Sequence, residues 1–520
     1  MNRFAVRRSL LALPLLFAAN TWAQQPPATH VAEASSKEAV PAVPVAPIAP
    51  LTQRQLFGTV PVATKSDDAR KLVEKAIDQY ENVLLEMSVS NAHQAVAKDP
   101  HFALAYAVWS YSANRTQPAT EALKRAKALA PKATPDEQLL INWMVDVEQG
   151  ENLAAIGAMN DLLARFPNDK HVLYLTSEWL YFQQDYERSR KMMEKIIAID
   201  PNFPPALNML GYSYIETGDP DPAKAVDFLK RYATLEPNQP NPQDSLGEVL
   251  RFAGDDQGSL EHYSAALKII TNFFSSQIGL GDTRTLMGDY AGARAAYDKV
   301  GATNTRDRLH VQYQKALVSF WEGHPEQGRK SLDALLEQAR RQKEPYEQFE
   351  IAFGRAQLSG NPASELEQLR AIEASLLKPV VGLGEPDRNI SLAYVLREQA
   401  RVAAANSQPD VAQEAIAKLE RYSAITRDLI VENNYESARG YALLAQGDLA
   451  NAADELATDP HSPLALQQLA QTQEKLGNPA AAETIRTRLK YQRVQTPASS
   501  CAQLMRIQSI PLRTNSCTSA

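Results

Sequence analysis

The stretch GLGDTRTLMGDYAGARAAYDKV, residues 279–300, contains a Leu-Gly pair, six further residues and then Gly-Asp. The same arrangement occurs in LGYSYIETGD and in LGEVLRFAGD, so that Gly211, Gly247 and Gly281 are separated by 36 and 34 residues. A fourth copy, GYALLAQGD at residues 440–448, keeps the step between the two glycines. A repeat of this length predicts an array of similar structural units rather than one globular core.

The residues around these glycines predict a pair of helices rather than a phosphate-binding loop. A dinucleotide-binding loop needs a preceding strand and a third glycine, but Arg284 occupies the position of that glycine. Gly281 is expected to let two helices approach closely, and Gly288 to end the first helix in a left-handed conformation. The following segment places three residues on one helix face, namely Ala293, Tyr297 and Val300.

Prolines recur where second helices are expected to end, because proline cannot continue a helix; they are Pro100, Pro131, Pro167 and Pro201. With this period and these Leu-Gly, Ala and Pro positions, the chain resembles the tetratricopeptide repeat (TPR) family. The resemblance implies an all-α fold, a right-handed α-solenoid (superhelix) of antiparallel helix pairs, with about eleven or twelve repeats. The repeats are clearest over 136–300 and 433–490; over 305–430 they are degenerate, although Gly323 and Gly360 keep the turns.

The size and charge of the chain agree with an extended array and exclude some partners. A chain of 520 residues is too long for one hydrophobic core, since cores stop growing near about 250–300 residues. The formal net charge of -7 gives no basic face of the kind that nucleic acid requires. Outside the N-terminus, no stretch approaches the roughly 20 apolar residues that cross a bilayer.

The N-terminus predicts export. Residues 1–23 combine a basic start, a short apolar run and small residues before Ala23, which is the pattern of a cleaved secretory signal peptide. A membrane anchor is the alternative, disfavoured by the short apolar run, and the pair Arg7 and Arg8 loosely resembles a twin-arginine signal. The mature chain is therefore expected to be soluble and periplasmic, or secreted.

The rest of the chain divides by composition into five further segments. Residues 24–65 are rich in Pro and Ala and predict a disordered linker. We predict an N-terminal solenoid over 66–378, a hinge loop at 379–388 and a C-terminal solenoid segment over 389–492. The basic tail, 493–520, holds the two cysteines of the chain, Cys501 and Cys517. In an oxidising compartment they are expected to form a disulfide, the alternative being two free thiols.

Sequence motifs for catalysis or cofactor binding are absent. GHPEQGRKS, residues 323–331, resembles a phosphate loop, but Arg329 separates the glycine from the lysine. There is no His-Glu-x-x-His zinc motif, no Gly-x-Ser-x-Gly elbow and no pair of histidines at ligand spacing. We therefore predict no catalytic residue, no metal and no cofactor, with an unrecognised enzymatic site in 305–430 as an alternative.

The TPR resemblance implies that the first helix of each pair lines a concave groove. Carrying that register over gives an aromatic and acidic groove formed by Tyr174, Glu178, Tyr181, Phe182, Asn208, Tyr212, Glu216, Asp244, Glu248, Arg251 and Asp282. Such a groove fits an extended basic or proline-rich peptide, with the rings as anchors. The plainer alternative is that the rings pack between repeats and the acids only solubilise the surface.

Family members that clamp the carboxylate tail of cytosolic chaperones have Lys, Arg and Asn at these positions, whereas this chain has Tyr, Glu and Asp. The sequence therefore predicts a periplasmic adaptor or scaffold that binds a protein or peptide partner. By family analogy, we place it in an envelope assembly, secretion or polysaccharide-export system. A polysaccharide-binding protein that stacks sugars on Tyr174, Tyr181 and Tyr212 is the second hypothesis.

Overall fold

The structure, a computed structural model, describes residues 58–113, 117–216, 220–459, 462–491, 493 and 495–497. These residues form 24 α-helices in twelve consecutive pairs, with a single isolated β-bridge between Val380 and Leu383. The predicted signal peptide, residues 24–57 of the predicted linker and both cysteines lie outside the described residues. The all-α solenoid expected from the repeats is confirmed.

The first helices of the pairs are α1 (Asp67–Glu81), α3 (Ala103–Ser112), α5 (Pro135–Gln149), α7 (Lys170–Phe182), α9 (Pro204–Glu216), α11 (Asn241–Ala253), α13 (Phe274–Leu286), α15 (Thr305–Trp321), α17 (Pro345–Gln357), α19 (Glu385–Ala405), α21 (Leu429–Gln446) and α23 (Pro463–Lys475). The second helices are α2 (Leu85–Lys98), α4 (Gln117–Leu129), α6 (Asn152–Arg165), α8 (Tyr186–Ile199), α10 (Pro222–Leu235), α12 (Asp256–Ile269), α14 (Tyr290–Asp298), α16 (Pro325–Gln342), α18 (Pro362–Leu376), α20 (Pro409–Thr426), α22 (Leu449–Ala457) and α24 (Pro479–Lys490). A short 3-10 turn, Ala130–Lys132, follows α4.

The first helices form an inner layer and the second helices an outer one. First helices of neighbouring pairs contact one another, for example α9 with α11 and α11 with α13, in addition to their own partners. Burial follows the same division. Ten residues of α7 are buried, whereas α8 buries only the strip Tyr186, Ser189, Met193 and Ile196. A helix that is buried on several faces lies inside an array, and one with a single buried stripe lies on its surface.

Within a pair, a glycine of the inner helix receives a side chain of the outer helix. A β-carbon on Gly281 would lie 2.3 Å from the ring of Tyr297, and one on Gly247 would lie 2.9 Å from the ring of Tyr263. The predicted close approach at Gly281 is therefore confirmed. Gly288 has a φ of 81°, the left-handed conformation that was expected after the first helix. The equivalent Gly218 lies outside the described residues.

The array turns far enough for distant repeats to meet along a seam. The Asn152 side chain, in the third pair, donates a hydrogen bond to the carbonyl of Thr426 at the end of the tenth pair (3.0 Å). The Gln183 side-chain oxygen accepts one from the Leu429 backbone N–H (3.3 Å), and Asn433 donates to Gln184 (3.0 Å). The seam therefore joins the third and fourth pairs to the tenth and eleventh, seven pairs later.

Two predicted segment boundaries differ from the structure. The last residues of the predicted linker pack on the solenoid, because the Val60 and Ala63 backbone N–H groups donate to the carboxylates of Asp169 (2.8 Å) and Glu137 (2.7 Å). The predicted hinge loop ends earlier than expected, since α19 begins at Glu385. One apolar cluster includes residues from both sides of this loop, among them Leu376 and Leu392. A hinge motion there remains a prediction. None of the described helices is both long and apolar enough to cross a bilayer.

The glycine contacts predict opposite effects for two alanine substitutions. Gly281→Ala inserts a methyl group into the Tyr297 ring and is expected to destabilise the protein by about 1–3 kcal/mol. Gly157→Ala, in α6, meets no atom within 4 Å and is expected to stabilise it by up to about 1 kcal/mol, because glycine is a poor helix former. Urea unfolding followed by circular dichroism measures both effects. If both variants shift the urea midpoint equally in the same direction, the contact of Gly281 with Tyr297 does not determine the cost.

Candidate functional site

The eleven predicted groove residues all lie on four successive inner helices. Tyr174, Glu178, Tyr181 and Phe182 lie on α7; Asn208, Tyr212 and Glu216 on α9; Asp244, Glu248 and Arg251 on α11; and Asp282 on α13. Of these, only Phe182, Glu216 and Glu248 are half-buried, and the others are buried. The structure thus brings the predicted residues together but surrounds most of them with protein.

The central part of this set forms a ladder of hydrogen bonds between repeats. Tyr181 donates to Glu216 of the next inner helix, and Tyr212 donates to Glu248 of the one after it (3.0 Å). A parallel row joins the same helices through buried groups, because Ser245 donates to Asn208 (2.9 Å) and Ser276 donates to Asp244 (2.6 Å). Each bond spans roughly one repeat, so the ladder fixes the stacking of neighbouring repeats.

The N-terminal part of the set is covered by the end of α1. The Tyr80 hydroxyl donates to Glu178 (2.5 Å), and the Tyr174 hydroxyl donates to the carbonyl of Glu81 (3.2 Å). The Glu81 carboxylate lies 2.9 Å from Nδ1 of His171. Burial lowers the pKa of His171, but the charge and hydrogen bond of Glu81 outweigh it and raise that pKa to about 9. Burial also raises the pKa of Glu81 itself.

The C-terminal part of the set meets the residues that follow α24. Arg251 bonds to Asp282 (3.0 Å) and Glu248 (3.2 Å), and its carbonyl accepts a hydrogen bond from Nε of Arg493 (3.0 Å). The Tyr297 hydroxyl lies 2.6 Å from Asp282 and 2.7 Å from the side-chain oxygen of Gln495. The first described residues of the predicted basic tail, 493 and 495, therefore contact the inside of the solenoid.

These contacts also change what the predicted aromatic residues can do. Tyr174, Tyr181 and Tyr212 belong to one buried cluster and leave no exposed ring face. The end of α1 covers Tyr174, and bonds between repeats hold Tyr181 and Tyr212, so sugar stacking on these rings stays a prediction that their burial disfavours. Phe182 is the one ring of the set that lines an open cleft.

That cleft lies at the seam and is small, with a cavity volume of about 40 Å³. Trp179, Phe182 and Val147 line it from the fourth and third pairs, while Phe349, Pro386, Ile390, Tyr394 and Ile430 line it from the ninth, tenth and eleventh. Asp387 and Asp428 place two carboxylates beside these apolar residues. An apolar cleft with a few polar groups is the usual form of a binding site.

Acidic groups extend along the groove beside the tail residues. On α15 and α17, Arg306 contacts Glu347 (2.5 Å) and His310 lies 3.6 Å from Glu350. One oxygen of each of these glutamates, together with Nδ1 of His310, is buried without a hydrogen bond. Burial lowers the pKa of His310, but Glu350 and Asp282 raise it overall. In the part of the chain that the structure describes, no three His, Cys, Asp or Glu residues are grouped for metal binding.

A second buried charge network, which the sequence did not reveal, lies on α19. Arg401 contacts Glu398 (2.5 Å) and Glu365 (2.8 Å), and Arg397 contacts Glu398 (3.0 Å) and Asp459 (3.0 Å). Burial outweighs the nearby arginine and raises the pKa of Glu365 to about 8, whereas Arg401 and Arg397 overcome burial and lower the pKa of Glu398. The network joins the ninth, tenth and eleventh pairs.

The pair of His171 and Glu81 predicts a pH dependence of stability. The pKa of His171 is about 9 in the fold and 6.5 ordinarily, so its contribution is complete below about pH 6.5 and is lost as pH rises through 9. Asp169 and Lys170 also face the ring, the first raising and the second lowering its pKa. Between about pH 6 and about pH 10, the urea midpoint is expected to fall more in wild type than in His171→Gln.

His262→Gln is the matched control, because His262 lies on an outer helix and contacts Gln243 instead of a carboxylate. Burial lowers the pKa of His262, so this ring is neutral above about pH 7, and from there to pH 10 the variant is expected to match wild type. If wild type and His171→Gln lose stability in parallel over this range, the ion pair makes no contribution in solution.

The α19 network predicts a large cost for one substitution. Arg401→Ala leaves the carboxylates of Glu365 and Glu398 buried without their main partner and is expected to cost about 3–5 kcal/mol in unfolding free energy. Arg421→Ala is the control, since Arg421 is exposed and bonds only to its own helix, and about 0.5 kcal/mol is expected. Urea titration compares them. A cost below about 1 kcal/mol for Arg401→Ala would mean that water reaches the network.

Comparisons with known proteins find similar solved structures but no matching sequence family. No family model and no curated protein matches it. Among solved structures, it is similar to a TPR protein from Parabacteroides merdae (14% identity, 52% of this chain and 93% of that one, TM-score 0.33). It is also similar to PilW, a type IV pilus biogenesis factor (13%, 45% and 92%, 0.29), and to yeast Tom70 (15%, 82% and 97%, 0.40).

The repeat and the coordinates lead to the same assignment. Helix pairs follow one another without interruption by strands through the described residues, and glycines recur at a fixed interval where the two helices of a pair touch. Successive first helices contact one another and form the inner surface of a superhelix. The described chain is therefore an all-α solenoid of helix pairs, and its repeat resembles that of the TPR family.

Proposed function

We propose that this chain is an exported, non-catalytic scaffold that binds an extended segment of a protein partner inside its superhelix. The observation that supports this most directly is the position of its own residues 493 and 495–497. Residues 493, 495 and 496 follow the last helix without regular secondary structure, Pro497 is helical, and Gln495, Thr496 and Pro497 are buried. The groove therefore already accommodates an extended polypeptide in this chain.

The chemistry of the groove supports a basic partner segment. Asp256 holds the Arg493 guanidinium through both carboxylate oxygens, at 2.6 and 2.7 Å. The Glu347 and Glu350 oxygens without hydrogen bonds, and the Asp387 and Asp428 carboxylates of the cleft, add further acidic groups. Acidic side chains along the groove are complementary to Lys or Arg side chains of a partner. Such complementarity speeds the association of the right partner and disfavours wrong ones.

The cellular role rests on the N-terminal sequence and on analogy. The signal-peptide pattern of residues 1–23 supports export to the periplasm. PilW, one of the solved structures to which the chain is similar, is a type IV pilus biogenesis factor. We place the scaffold in a cell-envelope assembly, secretion or polysaccharide-export system. With the rings of Tyr174, Tyr181 and Tyr212 buried, no observation favours sugar stacking.

Photo-crosslinking in the native host tests the groove. Phe182 is the best position for a photoreactive phenylalanine, because it is an aromatic residue that lines the open cleft, whereas Tyr212 is buried and bonded to Glu248. Lys299, exposed at the end of an outer helix, is the control. We expect one defined envelope protein to be trapped at position 182 and not at 299. Trapping at 299 alone would place the binding face on the outer layer.

A further inference from the structure

The residues after α24 contact the groove in the way that a peptide ligand would. Oε1 of Gln495 accepts a hydrogen bond from the Tyr297 hydroxyl (2.7 Å), and its Nε2 donates to the carbonyl of Gln314 (2.8 Å). Both polar ends of this buried amide are therefore satisfied by the groove. A glutamate there would lose the donor toward Gln314 and would bring a second carboxylate close to Asp282.

The two flanking contacts fix the position of the amide. Two residues before Gln495, Arg493 forms its bidentate ion pair with Asp256, at the start of an outer helix, and donates to the carbonyl of Arg251. Two residues after it, Pro497 lies against Gly354 of α17, where an added β-carbon would be 3.0 Å from its ring. The contacts therefore extend from the sixth pair to the ninth.

Tyr297 links this subsite to the repeat itself. It belongs to the outer helix α14, yet its ring passes over Gly281 of the inner helix, so that its hydroxyl reaches the inner surface. The hydroxyl has one proton and two acceptors within reach, the Asp282 carboxylate and the Gln495 amide oxygen. Docking of a side-chain amide thus competes with the bond that Tyr297 makes inside its own repeat.

We propose that residues 493 and 495–497 are an intramolecular ligand, and that partner segments bind the same subsite by displacing them. The partner chemistry is an extended segment with a basic residue two positions before a glutamine and a proline two positions after it. This inference rests on the proposed function, which it deepens by naming the subsite and its competitor. The tail competes with any such segment and lowers the affinity for it. The tail is tethered to the groove, so the effective concentration of the tail there is high.

A labelled peptide tests the proposal on the full chain. The probe is a fluorescent peptide of residues 490–499, and fluorescence anisotropy measures its binding to wild type and to the Arg493→Ala/Gln495→Ala double variant. We expect at least tenfold tighter binding to the double variant, and at least tenfold loss when the peptide itself carries Gln495→Ala or Gln495→Glu. Lys475→Ala, an exposed change on α23, is expected to behave as wild type. Equal binding to wild type and double variant, or binding to neither, overturns the proposal.

A second variant does not depend on the fold of the double variant. Asp256→Asn removes only the partly exposed ion pair with Arg493. It is expected to increase trypsin cleavage after Arg493 several-fold relative to cleavage after exposed Lys475, and unchanged cleavage would contradict a docked tail. If the peptide fails to bind while Phe182 still traps a partner, the intramolecular ligand is excluded and the proposed function stands. If the peptide binds but position 182 traps no partner, the intramolecular ligand stands and the proposed function is contradicted.

Discussion

In the fifth, sixth, seventh and eleventh pairs, the fold depends on the contact between a glycine of the inner helix and a large side chain of its outer helix. At Gly281 and Gly247, the tyrosine ring of the outer helix occupies the space that an inner β-carbon would fill. This contact sets the separation of the two helices, and interiors packed to this density leave little freedom in that separation. Because the same contact recurs at a fixed interval of sequence, its geometry is propagated along the array.

Because successive helix pairs pack with a similar geometry, this geometry determines which distant repeats come into contact. The Asn152–Thr426 and Gln183–Leu429 contacts show that seven pairs complete a turn. The groove is consequently enclosed, and Tyr491, just after the last helix, packs against the apolar cluster of the fourth to sixth pairs. That position delivers the following residues into the groove. A repeat that was slightly more open would leave the tail outside.

The sequence predicted the parts of this structure that are local. Gly281 and Gly288 have the roles that their spacing indicated, and every predicted groove residue lies on an inner helix. What could not be predicted depends on contacts between distant repeats. The burial of Tyr174 requires α1 to return to the fourth pair, 93 residues away. Gln495 has no sequence signal, since its partners, Tyr297 and Gln314, are supplied by two other repeats.

The burial of charged residues on α19 could not be predicted from the helical periodicity of the sequence. In the segment 391–404 every residue is buried, including Arg397, Glu398 and Arg401. A helix with apolar residues on all sides is expected to be buried. Charged residues in a helix normally predict a solvent-exposed face, unless buried partners for them are known. Glu365 and Asp459 come from other repeats, so the pairing becomes visible only in the folded chain.

Entry into an enclosed groove is governed by the contacts that are easiest to separate. Within a turn, neighbouring repeats share buried aromatic and aliphatic side chains as well as the ladder of hydrogen bonds. Across the seam, the hydrogen bonds between Asn152 and Thr426 and between Gln184 and Asn433 are neutral amide bonds, each worth about 1 kcal/mol. Of these four residues, Asn152 also lines the cleft at the seam. If a partner segment enters the groove as proposed, it breaks fewer interactions by passing the seam than by separating two repeats, and the cleft residues, Phe182 among them, are the first groups that it contacts.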